Sequence, residues 1–271
     1  MKKLLALVLT LIMALSFVAC GNKDADSADK TDATTAASDL AYVTEKGTLV
    51  VGITDFEPMD YKEKGSDEWI GFDADMAKAF AESLGVKVEF VEIDWDNKVM
   101  ELDGKSIDCV WNGMTLTDEV KSAMECSNAY CNNQQIVIVP KDKADKYQTV
   151  DACKELSFAV EAGSAGKEMA EQNGFNFTEV KDQASALMEV ASGTSDAAVI
   201  DSLMAAAMVG EGTGYENLTY TVGLNNEEYG VGFRKGSDLA QKLNDFFTEC
   251  KGNGKMDEVA EKYGVQAALV K

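Results

Sequence analysis

Three short stretches of this chain carry side chains suited to holding a small charged molecule. Asn112-Gly113 is followed closely by Thr115 and Thr117, which gathers an amide, a pliant backbone position and two hydroxyls. Glu161-Ala-Gly-Ser-Ala-Gly166 sets a carboxylate beside a glycine-containing turn, and Asp201 follows the apolar run Ala197 to Ile200. Hydroxyls and backbone N–H groups donate to carboxylates, and ionised acids accept from amines, so together these stretches offer partners for both signs of charge. Other chemistries are excluded. The sequence contains no histidine, which removes imidazole metal sites and histidine-based triads. It has no Cys-x-x-Cys spacing either, so neither a metal site nor a cofactor is expected.

The flanking patterns say which elements must position these groups. Phe72, Met76, Phe80 and Leu84 recur every four residues, with Ala77 widening the stripe, and predict a helix that ends at Gly85. Asp73 and Asp75 fall in its first turn, where the helix dipole favours anions. Val86, Val88 and Phe90 alternate as in a half-buried strand. A short helical pattern (Trp95, Val99, Met100, Leu102) stops at Asp103-Gly104, and Ile107, Cys109 and Trp111 alternate until the strand breaks at Asn112-Gly113. Small ligands of open α/β sheets bind at this carboxyl end of the strands. Further on, Leu156 to Val160 is a strand, and the turn after it leads into the helix Lys167 to Gln172, whose free N–H groups suit a carboxylate. Thr117 reads as the N-cap of the segment after it, leaving Thr115 free. Asp201 is either an N-cap or a ligand partner, and Phe56, before Glu57-Pro58, is either core or pocket wall.

The 271 residues, 46% hydrophobic, suffice for one large or two small cores. A net charge of −22 with no basic run argues against nucleic acid and against an anionic membrane surface as partners. Lys2 and Lys3, the apolar stretch Leu4 to Val18 and Ala19-Cys20-Gly21 read as a secretory signal over 1–19 with a lipid-attachment site at Cys20. Residues 20–41, rich in Asp, Ala, Thr and Ser, are expected to form a flexible tether. The folded part is expected from Tyr42. Of the remaining cysteines, Cys109 reads as a core residue, and Cys126 and Cys131 are compatible with a disulfide or with simple packing.

The segments GFDADMAKAFAESLG, IDWDNKVMELDGKSIDCVWNGMTLTDE and SNAY resemble the family 3 extracellular solute-binding proteins, the receptors of polar-amino-acid ABC importers. The resemblance runs from about Gly47 to Lys271. It implies an α/β, type II periplasmic-binding-protein fold of two lobes, with a ligand cleft between them and a two-strand hinge. Lobe one would comprise 42–139 with 223–271, and lobe two 140–222. It implies a lipid-anchored, extracytoplasmic monomer that presents an amino acid or amine to an ABC permease and its ATPase, and no catalysis. Relatives of other function are ligand-sensing modules fused to transmembrane helices and kinases, and dehydratases acting on prephenate-like acids. The ligand-facing positions it implies are Phe56 and Trp95 as aromatic walls and Asn112, Gly113 and Thr115 as the loop meeting an α-carboxylate. Glu161, Gly163, Ser164 and Ala165 would form the lobe-two turn, and Asp201 would pair with the α-ammonium. Asp55 is added as a nearby carboxylate.

One departure bears on the ligand. The family's carboxylate-gripping arginine would stand at Val120, and Lys121 is one position off, roughly 100° around a helix. The only arginine, Arg234, matches a position away from the ligand. With Asp201, Glu161 and Asp55 and no certain cation, the expected pocket favours a cationic amino acid or amine.

Overall fold

The computed structural model describes residues 38–271. The expected signal segment and Cys20 lie outside the described residues. The first element is a helix, Asp39–Lys46, capped by the Ser38 side chain, which accepts from the Ala41 N–H. Residues 38–41 therefore belong to the folded unit rather than to a tether ending at residue 41. The reason is long-range: Asp39 accepts from Arg234, and the Leu40 N–H donates to Asp238.

Two large sheets follow in one chain, beside a small two-stranded one of Tyr61–Lys62 and Trp69–Ile70. The first three long strands are β1 (Thr48–Ile53), β2 (Lys87–Glu92) and β3 (Cys109–Thr115). Next come β4 (Gln135–Pro140), β5 (Ser157–Glu161), β6 (Asn176–Val180), β7 (Ala197–Asp201) and β8 (Leu218–Gly223), and the chain returns as β9 (Glu227–Phe233). Lobe one has the order β2-β1-β3-β9, with the short strand Glu125–Cys126 beyond β9. Lobe two has the order β6-β5-β7-β4-β8. In each lobe the first three strands run parallel, and the strand arriving from the other lobe pairs antiparallel, β9 on β3 and β4 on β7.

The strand Gln135–Pro140 lies in the second sheet, so the first crossing falls just before Gln135 instead of at Pro140. An apolar run looks alike in either sheet, and only its partner β7 assigns it. The return crossing falls between Gly223 and Glu227.

The predicted helix is observed as Phe72–Ser83, with Phe72, Met76, Ala77 and Phe80 buried against lobe one. Phe80, Trp111, Tyr130, Tyr229 and Phe247 pack ring to ring in that core. Lobe two buries Phe158 stacked on Phe175, centroids 4.4 Å apart, beneath the other face of its sheet. β3 does not break at Asn112-Gly113. It continues to Thr115, because β9 pairs with both ends and absorbs a register shift between Gly230 and Gly232. The described cysteines, Cys109, Cys126, Cys131, Cys153 and Cys250, are all free.

Candidate functional site

The carboxyl ends of β3, β5 and β7 meet across the gap between the lobes and enclose a cavity of about 230 Å³. Its wall includes Phe56, Trp95, Asn112, Gly113 and Thr115 from lobe one, and Glu161, Gly163, Ser164, Ala165 and Asp201 from lobe two. Of the residues expected there, Asp55 alone is absent from the wall. Its side chain is exposed, and partial desolvation by its surroundings, reinforced by the nearby Asp182 and Glu92 carboxylates, raises its pKa. Its neighbour Phe56 turns inward instead, its ring lying edge-on to Tyr229.

The lobes touch at this cavity. Gly163 packs so closely on Asp96 that an added Cβ would lie 2.7 Å from the Asp96 Cα. Lys98 Nζ donates to the Trp95 carbonyl on its own lobe at 3.1 Å and to the Gly163 carbonyl across the gap at 2.8 Å. Lys181 reaches from lobe two to Glu92 at 2.8 Å.

Several expected donors are already committed inside the protein. Asn112 Nδ2 donates to Asp60 and to the Thr54 carbonyl, while its Oδ1 accepts from the Thr54 N–H and hydroxyl. The Gly113 N–H donates to Asp73 at 2.6 Å, and the Thr115 hydroxyl donates to Glu227 at 2.9 Å. The Ser164 hydroxyl donates to the Glu161 carbonyl and caps the helix Ala165–Gln172 by accepting from the Lys167 N–H. These residues shape the wall and leave few donors for a ligand. Thr117 is the N-cap of Asp118–Ala123, accepting from the Val120 N–H, and also lines the cavity. Asp73, read as a first-turn anion, is fully buried and holds Gly113 and Tyr130 instead. Burial lifts its pKa to about 7.

The lobe-two end is acidic. Asp201 stands at the N-cap position of the helix Ser202–Met208 but makes no capping bond. Its Oδ1 accepts from Asn133, from Gln135 at 2.8 Å and from the Tyr229 hydroxyl at 2.8 Å, and its Oδ2 accepts from Gln183. A carboxylate oxygen takes about two hydrogen bonds, so Oδ2 retains room for one more donor. Glu161 is 3% exposed and its Oε1 has no partner. Burial, reinforced by Asp201 and Asp182, lifts its pKa to about 8. Burial, reinforced by Glu227, lifts that of Asp201 to about 8 as well.

The cation absent from the sequence reading is present in the structure. Lys98 is 8% exposed and lines the cavity, so the pocket is not without a positive charge. It follows Trp95 by three residues, which places both on one face of a helical turn, and that spacing was the signal available. Lys121 is exposed and outside the cavity wall. Arg234 binds Asp39, Asp108 and the Leu102 and Ile107 carbonyls near the opposite end of β3.

The sequence pattern of the bacterial extracellular solute-binding proteins, family 3, matches residues 49–266. The chain belongs to that family. A mutant of ArgBP from T. maritima superposes with a TM-score of 0.77 at 31% identity, covering 83% of this chain and 98% of that one. ArtP of Bacillus subtilis strain 168, named an arginine-binding extracellular protein, is 28% identical over 271 residues, 97% of this chain and 98% of its own. TcyJ of Escherichia coli K12, named an L-cystine-binding protein, is 30% identical over 231 residues, 83% of this chain and 85% of its own. The two-lobe, type II arrangement that the motifs implied is the observed one. In this solute-binding protein the gap between the lobes carries six carboxylates (Asp96, Glu119, Glu161, Glu168, Glu171 and Asp201) and two lysines, Lys98 and Lys167.

Proposed function

We propose that this protein captures a small polar amino acid, preferring a cationic one, between its lobes and delivers it to the permease of an ABC importer. The observation that carries the reading is the unpartnered Oε1 of buried Glu161 beside Asp201, with its one remaining acceptor direction, in the cavity between the lobes. A buried acid without a partner is costly, and an ammonium or guanidinium, by favouring the ionised forms of both groups, relieves them at once. The cavity is smaller than the range of about 300–1,000 Å³ usual for drug-sized ligands, which suits a molecule the size of an amino acid. Support also comes from relatives named for arginine binding. The acidic majority of the wall disfavours dicarboxylate substrates, and with them a dehydratase role, so binding without catalysis is the function proposed. The protein works as a monomer outside the cytoplasm, held at the cell membrane by a lipid on Cys20.

The test is a melting screen against the standard amino acids, ornithine and polyamines, because a ligand of the native state raises Tm. Arginine, lysine or ornithine is expected to give the largest shift, glutamine a smaller one and glutamate none. Glu161→Gln should narrow the gap between cationic and neutral ligands. Glutamate or an apolar amino acid as the tightest ligand refutes the charge preference. For the anchor, Cys20→Ala is expected to move the protein from the detergent phase to the aqueous phase, and its retention with membranes refutes lipidation.

A further inference from the structure

We propose that Lys98 is the specificity-determining cation of the pocket: it receives the carboxylate of the bound amino acid and ties that recognition to closure of the lobes. This rests on the amino-acid reading above and adds the group that replaces the missing arginine.

An ammonium has three N–H donors. Two of those on Lys98 are used, one on each side of the gap, at the carbonyls of Trp95 and Gly163. The third makes no hydrogen bond, the ammonium lying over the Trp95 ring 5.1 Å from its centroid, and Lys98 enters no ion pair among the described residues. A lysine this deeply buried loses hydration, and burial pulls its pKa down, while Glu161, Asp96, Glu119 and Glu168 act in the other direction. Across the same cavity stands Glu161, whose Oε1 has no hydrogen-bond partner.

One cavity thus holds a buried ammonium with no carboxylate within 4.0 Å and a buried acceptor without a hydrogen-bond partner. An α-amino acid carries the complement of both, a carboxylate and an ammonium a short chain apart. A carboxylate on Lys98 would be a charge-assisted contact, stronger than a bond from any neutral donor of the wall. Three of the donors expected to take that carboxylate are occupied. The Gly113 N–H, Thr115 hydroxyl and Ser164 hydroxyl already have acceptors. Lys167 pairs with Glu179 at 3.2 Å, and Val120 offers no donor. The bond from Lys98 to Gly163 adds a second consequence, because it exists only while the lobes are together. Holding Lys98 in place for the carboxylate and holding the cleft shut are therefore one interaction.

The experiment measures calorimetric affinity for arginine, lysine, histidine and glutamine, each beside its α-amide, which keeps the ammonium and loses the acid. Wild-type protein is expected to prefer the tightest-binding acid over its amide at least thirtyfold. Lys98→Met removes the bond to Gly163 and so weakens both ligands, but it should weaken the acid at least thirtyfold more than its amide, so that the preference collapses. Lys98→Arg, which restores a cation, should recover part of it. Equal loss for acid and amide in Lys98→Met, or an undiminished preference, overturns the proposal while leaving amino-acid binding intact. If the wild-type protein binds no acid of the set, the amino-acid reading fails first and takes this assignment with it.

Discussion

Gly163→Ala offers the sharpest test of whether the enclosed cavity is the binding-competent state. Gly163 has φ +67°, and a Cβ there would sit 2.7 Å from both Cα and Oδ1 of Asp96 and 3.1 Å from its Cβ. Comfortable carbon contacts are about 3.5–4.0 Å, so the lobes would have to part by roughly 1 Å along this line. Overpacking of this kind costs about 1–3 kcal/mol. Parting the lobes also strains the bond from Lys98 to the Gly163 carbonyl, a charge-assisted contact worth about 1.5–3 kcal/mol. Allowing for partial relaxation, closure becomes about 2–4 kcal/mol harder, which weakens binding by roughly 30-fold to 1,000-fold. The left-handed backbone adds about 1–2 kcal/mol in the open and closed states alike, so it lowers stability without touching affinity. Calorimetry with the tightest wild-type ligand measures the first effect, and the melting temperature of ligand-free protein measures the second. A dissociation constant within threefold of wild type would show that the contact between Gly163 and Asp96 has no part in the bound state, and the closure argument would fail.

Other outcomes follow from the same geometry. Arg234→Met should lose about 3–5 kcal/mol of stability in urea titrations, because buried Asp39 loses its cation and buried Asp108 keeps only Lys46, while ligand affinity stays within twofold. Asp73, Glu161 and Asp201 hold protons up to about pH 7, 8 and 8, whereas unfolded carboxyls release theirs near pH 4. Their contribution to stability is complete below that lower value and is lost as pH rises through the folded values. Ligand-free protein should therefore need less denaturant at pH 8 than at pH 5.5, by up to about 1.4 kcal/mol per pH unit for each group, and Asp73→Asn should flatten the profile. A cationic ligand favours ionised Glu161 and Asp201, so binding should expel protons and tighten from pH 6 to 8. Calorimetry in buffers of different ionisation enthalpy reads that proton count, and a count of zero separates these carboxylates from the ligand.

Much of this molecule is written in local pattern. The four-residue recurrence of Phe72, Met76 and Phe80 gives a helix because one apolar stripe must be buried, and the alternation around Cys109 and Trp111 gives a strand for the same reason. Strand ends bearing Asn112, Glu161 and Asp201 were readable as lining one crevice, since parallel sheets leave their carboxyl ends open to it. Partner assignment was not readable. The run Gln135–Pro140 is equally apolar in either sheet, and its hydrogen bonds to β7 decided the lobe. Asp73 and Asp75 are near neighbours in sequence, yet one lies buried beneath Gly113 and the other binds Lys262, because the helix turns one inward and the other out. Likewise Gly113 and Thr115 were legible as donors, but whether a donor is free depends on acceptors dozens of residues away. Lys98 is the converse case. In sequence it is one lysine among many on a short polar helix, and only the approach of Gly163 from the other lobe makes it a buried cation in the wall of the site.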